Sequence, residues 1–299
     1  MKVSAITLSI FALIVAVACA RASRTSPVVI GATTKSANNN NNPKEIAKAK
    51  ELLKIKTKNA HPVLKFIDRN DYSQSKGNLV FLLTRGIWLA IISQLFFNGN
   101  PLLTKVTTLL GIKNTPNTER LAALGVAAAF TATRQLFWTL YLRAYDFRLP
   151  AALMIGIGVP QFFHVVTLAS VVFNNAKFGG WQDKTGLVLF FLGGFIETFS
   201  EIQRKLFKAQ VSNKGKLYTS GLFSLARHIN YTGEVLWYTG FLLLATGNPW
   251  VAAAVFIGQT FFFNKVAVSE LNVHLEQKYT KLLDEYKRKT PYALIPFVV

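Results

Sequence analysis

The ten residues LARHINYTGE, 225–234, place Arg227, His228, Asn230, Tyr231 and Glu234 within eight positions, directly in front of a strongly apolar run. A guanidinium, an imidazole, an amide, a phenol and a carboxylate in one short stretch can bind an anion and an amide or hydroxyl together, and can exchange a proton. Upstream, GGFIETFSEIQRKLFKAQ carries Glu197, Glu201, Arg204 or Lys205, and Lys208 at i, i+4, i+7 or i+8, and i+11. On a helix that spacing draws one polar stripe along an otherwise apolar rod. Carboxylates near the end of a membrane helix are costly unless they face a cavity or a partner. Taken alone, an amphipathic cytosolic extension with salt-bridged charges accounts for the stripe as well.

The elements that hold these groups are apolar. Of the 299 residues, 51% are hydrophobic and the mean hydropathy is +0.30, above a typical soluble domain. Runs beginning at Asn78, Leu121, Leu149 and Gly186 approach or reach the ~20 residues that cross a bilayer. GEVLWYTGFLLLATG and NPWVAAAVFIGQTFFF add two shorter runs hinged at Gly247, Asn248 and Pro249. The expectation is an all-α, polytopic helical membrane bundle of about six transmembrane helices with a C-terminal cofactor-binding half. In such a bundle the stripe, the 225–234 cluster and the charged tail after Ser269 return to one membrane face. That convergence suits a large anionic cofactor, with cations on its phosphates and Asn and Glu on its amide or hydroxyl groups.

The charge of +20 sits in the tail and in loops between apolar runs, without an aromatic-interleaved basic domain. Membrane flanks and an anionic cofactor fit this better than nucleic acid. The single Cys19 excludes an internal disulfide framework, and the scattered His61, His164, His228 and His274 give no metal-site spacing. Residues 1–20 read as a signal peptide or signal anchor. Residues 21–77 form an Asn-rich, transit-like linker followed by a lysine-rich segment from Lys44 whose apolar positions suit a short surface helix. Residues 78–185 make an N-terminal transmembrane half, the expected substrate side, and 186–299 the cofactor half. Alternation of the spans puts the segment from Lys44 to Lys76 on the face of the basic loop after Ile202, whereas a cleaved secretory signal would leave it lumenal. A miscounted span or a two-step import route into an organelle reconciles the two, so the endoplasmic reticulum is the expected membrane and a plastid membrane the alternative. The GIG at 156–158 sits within an apolar span and reads as close helix packing, not a dinucleotide fingerprint.

GLFSLARHINYTGEVLWYTGFLLLATG resembles the RHPNYxGE signature of membrane reductases related to steroid 5-alpha-reductase, in the branch known as DUF1295. IETFSEIQRKLFK and YKRKTPYALIPF are similar to that branch's upstream acidic pattern and its C-terminal ending, and Arg134 and Arg143 in TRQLFWTLYLR look like its earlier paired arginines. The resemblance implies NADPH held by the C-terminal half: Glu197 and Glu201 at the adenosine end, Lys208 with Lys205 or Arg204 at a phosphate, and Asn230, Tyr231 and Glu234 near the nicotinamide. Arg227, His228 and Tyr279 would complete the pocket. Ile229 stands where the signature has proline, and Glu201 where it has aspartate. The implied activity is reduction of an activated C=C bond in a lipid-like substrate from the bilayer, sterol, enoyl or isoprenoid. The substrate-side acid is not identified; Tyr231, Tyr141 and Tyr145 are the candidates, with Asp146 beside them. A second resemblance runs to the isoprenylcysteine and phospholipid methyltransferases, whose RHPxYxG segment and Asn-Pro turn are close to ARHINYTG and LLLATGNPW, and which use S-adenosylmethionine. A non-catalytic membrane protein is the third possibility.

Overall fold

The computed structural model describes residues 75–96, 117–143, 147–158 and 176–298, with isolated positions between them. The leader, most of the 21–77 segment, Tyr145 and Asp146 lie outside the described residues. The order of elements is α1 (Ser75–Phe96), α2 (Thr118–Phe137) prolonged by a π-helical turn (Trp138–Leu142), α3 (Leu149–Gly158), α4 (Trp181–Ala209), α5 (Ile229–Thr246), α6 (Pro249–Phe262), a second π-helical turn (Phe263–Ala267) and α7 (Val268–Lys289). Among the described residues there is no strand.

Local chemistry sets several boundaries. The Asn117 side chain accepts the Arg120 amide at 2.9 Å and starts α2, whose first turn holds Glu119 and whose last holds Arg134, both favourable to the helix dipole. The expected hinge closes α5 and opens α6. Gly247 adopts φ 61° and returns its N–H to Leu243, then Asn248 caps α6 through the Trp250 and Val251 amides with Pro249 in the first position.

Two helical stretches, Trp181–Ala209 and Pro249–Glu276, are long and apolar enough to cross a membrane. Their outer faces expose Val188, Phe191, Leu192, Phe195, Trp250, Ile257 and Phe261. Large apolar side chains exposed along helices of that length are what lipid, not water, stabilises.

The tightest packing joins α4 to α5. A Cβ placed on Gly193 would lie 2.5 Å from the Gly233 carbonyl oxygen and 2.5 Å from the Trp237 nitrogen; one on Gly240 would lie 2.4 Å from the Phe190 nitrogen. Gly186 meets Gly240 and Leu244, while Gly233 meets Gly193 and Glu197. The glycines therefore pair seven residues apart on each helix in opposite order, so α4 and α5 are antiparallel with backbones in contact. Phe190, Trp237 and Phe241 fill the flanks of this seam, and the core continues through Leu124, Ala127, Ala128 and Ala132 of α2.

Two ion pairs fix α2 against α4. Arg120 meets Asp183 at 3.0 Å, and Arg134 meets Glu197 at 2.6 Å. The second pair is displaced by 14 residues on each helix, so α2 and α4 run parallel and the pairs stand about 21 Å apart along the axes. Asp183 also accepts the Gly179 and Gly180 amides and thereby caps α4. At the GIG sequence, the Thr84 side chain sits 2.7 Å from where a Gly156 Cβ would be, as close packing requires, while Gly158 has open space around it. Arg85 of α1 donates to Gly156 O at 2.8 Å and to Ile155 O at 2.9 Å, near the end of α3.

Candidate functional site

The glycine seam brings two carboxylates together from different helices. Glu197 of α4 accepts from Arg134 at 2.6 Å and from the Trp237 indole at 2.9 Å. Glu234 of α5 lies within electrostatic reach of Glu197 and Arg134 and has no ion-pair partner among the described residues. One turn further along α5, the Tyr238 hydroxyl lies within reach of Glu234, Glu197, Arg134 and Arg85. Four ionisable side chains from four helices therefore lie within electrostatic reach of one phenol, on which Trp237 stacks and which Phe162 meets at 4.9 Å.

The rest of the expected stripe divides. Glu201 pairs with Arg204 on its own helix. Lys205 reaches the Tyr141 carbonyl and lies 4.4 Å over the Tyr141 ring. Lys208 contacts the Tyr279 hydroxyl at 2.8 Å and the Lys216 carbonyl, joining the end of α4 to α7. Glu197 thus faces the interior cluster, while Glu201, Lys205 and Lys208 belong to the mouth, where Lys214 and Lys216 are exposed beside them.

The 225–234 cluster is bound to the C-terminal segment. Arg227 donates to the Thr290 and Pro291 carbonyls, each at 2.6 Å, and the Arg227 and His228 amides bond Tyr292 O and Ala293 O. Burial pushes the Arg227 guanidinium down from its ordinary pKa and the Tyr286 hydroxyl up. His228 is buried at the start of α5, 3.3 Å from the Asn272 side-chain oxygen. Tyr231 stacks on Phe263 at 4.8 Å in an apolar cluster with Val235 and Leu294. Asn230 keeps a buried side-chain oxygen without a hydrogen-bond partner. Arg227, His228 and Tyr231 therefore hold the framework, although the Arg227 Nε, like the Asn230 oxygen, is buried without a hydrogen-bond partner. Tyr141 is half-exposed, its ring stacked on Phe137 at 5.3 Å. Tyr145 lies outside the described residues.

Arg85 and Tyr238 are the site residues that motif reading passed over. The signal for Arg85 was present: a lone arginine in NLVFLLTRGIWLAII, where an ionisable group in an apolar span marks a functional position by default. Tyr238 carried no signal, being one aromatic among many in α5.

A family model described as Protein of unknown function (DUF1295) matches residues 133–290, slightly more than half of the chain. The match takes in Arg134, Glu197, Glu234, Tyr238 and the α7 contacts. Among curated proteins, the chain is 39% identical over 94 residues to Probable O-methyltransferase ustE of Ustilaginoidea virens, covering 31% of this chain and 33% of that protein. The chain thus spans about a third of the length of the curated relative it matches. No solved structure matches.

Proposed function

Since the chain belongs to the DUF1295 family, we propose that it is an integral-membrane O-methyltransferase using S-adenosylmethionine on a lipid-like substrate, in a bundle of about six spans. The observation that carries this reading is Glu234: a carboxylate beside a second carboxylate, with the only nearby α2 cation already committed to Glu197. A cation placed beside this pair would favour the ionised form of Glu234, and the reactive centre of S-adenosylmethionine is one. The buried, unpartnered Asn230 oxygen fits an amine donor on the same cofactor. The likeness to a methyltransferase supports the same cofactor.

When bound, S-adenosylmethionine supplies an electrophilic methyl group on a sulfonium. The protein's own part is binding and placement. Glu234 holds positive charge next to Tyr238, Trp237 and Phe162 exclude water, and the Arg134–Glu197 pair fixes α2 and α4 around them.

A second reading, NADPH-dependent reduction of a C=C bond, draws on the mouth of the site. Arg204, Lys205, Lys208, Lys214 and Lys216 gather there, and such a rim favours phosphate groups. Equilibrium binding to purified full-length protein in one detergent and salt decides between them. Saturable S-adenosylmethionine binding without NADPH binding is the expected result; the reverse overturns the methyltransferase reading.

A further inference from the structure

The outer face of α6 carries a cation where lipid tails should lie. Lys265 sits in the π-helical turn Phe263–Ala267, inside the apolar stretch Pro249–Glu276 that is long enough to span, and it is exposed. Phe263 and Ala267 of the same turn are buried in the cluster with Val235 and Leu294, so the widened turn leaves Lys265 on the opposite side. Its ammonium has no hydrogen bond or ion pair among the described residues. Trp250, 82% exposed at the start of α6, marks one membrane interface. Lys265 is 15 residues further, a rise of about 22 Å. The hydrocarbon is about 30 Å thick, so the Lys265 backbone stands about 8 Å short of the far boundary, a depth from which a lysine snorkels to the headgroups.

Below the lysine the same face is hollow. Ala254, Gly258, Phe262, Lys265 and Ser269 recur at i, i+4, i+8, i+11 and i+15, and all five are exposed. A Cβ added at Gly258 would meet nothing within 4 Å, unlike one at the seam glycines of α4 and α5. Ala254, Val255, Gly258, Gln259 and Phe262 line a groove of about 480 Å³ along this face. From Lys265 back to Ala254 the helix rises about 16 Å over 11 residues, close to the depth of one leaflet's hydrocarbon. Ser269, one turn beyond Lys265 toward the boundary, adds a hydroxyl donor.

We propose that α6 holds one anionic phospholipid, with its phosphate on Lys265 and Ser269 and one acyl chain in the groove from Phe262 to Ala254. Charge complementarity selects the occupant. A bare ammonium facing hydrocarbon is costly, and a headgroup phosphate is the anion that a bilayer brings to that depth. A zwitterionic headgroup is the poorer fit, because its own cation is repelled by the lysine. An apolar helix of another protein would fill the groove but leave the charge unanswered. The candidate site lies at the α4–α5 seam and this groove on the outer face of α6, so the lipid is retained, not converted. On the inner side of the same turn Phe263 stacks on Tyr231 at 4.8 Å, which sets the lipid directly behind the 225–234 motif.

The test titrates full-length protein in neutral detergent with phosphatidylglycerol or with phosphatidylcholine of the same chains, counting bound lipid by native mass spectrometry. Wild type should bind the first phosphatidylglycerol about fivefold more tightly, the worth of one basic side chain beside an anionic headgroup. Lys265→Gln should bring the two lipids within about twofold of each other, and Lys265→Arg should keep the preference. Lys184→Gln, at an exposed lysine near the other interface, should leave it intact. Gly258→Leu fills the groove and should weaken both lipids by about threefold or more while preserving their ratio. An unchanged melting temperature without added lipid is the control for folding, and if Lys265→Gln fails it, the wild-type ratio and Gly258→Leu decide. Equal affinities in wild type overturn the proposal, as does a preference that survives Lys265→Gln or falls as far with Lys184→Gln. Wild-type binding by Gly258→Leu, or displacement of the lipid by equimolar inorganic phosphate, rejects the groove as its seat. Recovery of the bound lipid in methylated form would make it a substrate and sink the idea.

Discussion

Glu234 and Glu197 are both carboxylates in one cluster, but they predict opposite kinds of defect. Glu234→Gln removes a carboxyl group with no ion-pair partner among the described residues, so the fold should stand while S-adenosylmethionine weakens by the ~1.5–3 kcal/mol of a charge-assisted contact. S-adenosylhomocysteine, whose sulfur is neutral, should weaken far less; calorimetry on both ligands checks this, and an equal loss would remove Glu234 from the sulfonium. Arg134→Leu strands Glu197 in the interior and should cost about 3–5 kcal/mol of stability, whereas Arg134→Leu with Glu197→Leu should recover much of it. A double-mutant melting cycle that shows additive losses would contradict the pairing. The sequence placed Glu197, Asn230 and Glu234 together because the motif holds two of them and helical spacing the third. It could not separate Asn230 and Glu234 from Arg227, His228 and Tyr231, since which side chains are spent on the Thr290–Leu294 segment depends on contacts more than 60 residues apart.

At the level of elements, the α5–α6 turn was legible from Gly247, Asn248 and Pro249, each with its own backbone requirement. The α4–α5 seam was not, because its four glycines sit within apolar runs and their pairing emerges only when the helices meet. Gly193→Ala and Gly240→Ala should each destabilise by about 1–3 kcal/mol and loosen ligand binding, as the added methyl has backbone in its way. Gly258→Ala in α6, with open space around it, should be neutral or stabilising by up to about 1 kcal/mol. Comparable melting temperatures for all three proteins would refute the seam. Truncation after Lys289 removes the carbonyls that hold Arg227 and His228 and should abolish cofactor binding while the helices still insert, which far-UV circular dichroism beside a binding assay would separate.

For the molecule as a whole, the parallel run of α2 and α4 fixes which loops share a face. In a Cys19→Ser background, Lys177→Cys should react with an impermeant maleimide from one side of a sealed vesicle and Lys214→Cys from the other; labelling of both from one side would exclude a spanning α4. The Asn-Tyr-Thr sequon at Asn230, on the Lys214 side, should carry no glycan. Helical class was legible from hydropathy alone, and the order of helices from their apolar runs, but the relative direction of α2 and α4 needed the equal 14-residue offsets of their ion pairs. The glycine seam also bears on how this chain can drift over generations. Glycine is the one residue without a Cβ, so every missense change in the codons for Gly186, Gly193, Gly233 and Gly240 adds an atom where backbone already stands. No conservative neighbour exists for selection to accept. In a saturation mutagenesis library these four positions should empty of variants, while the lipid-facing Val188 and Ile257 accept any apolar replacement.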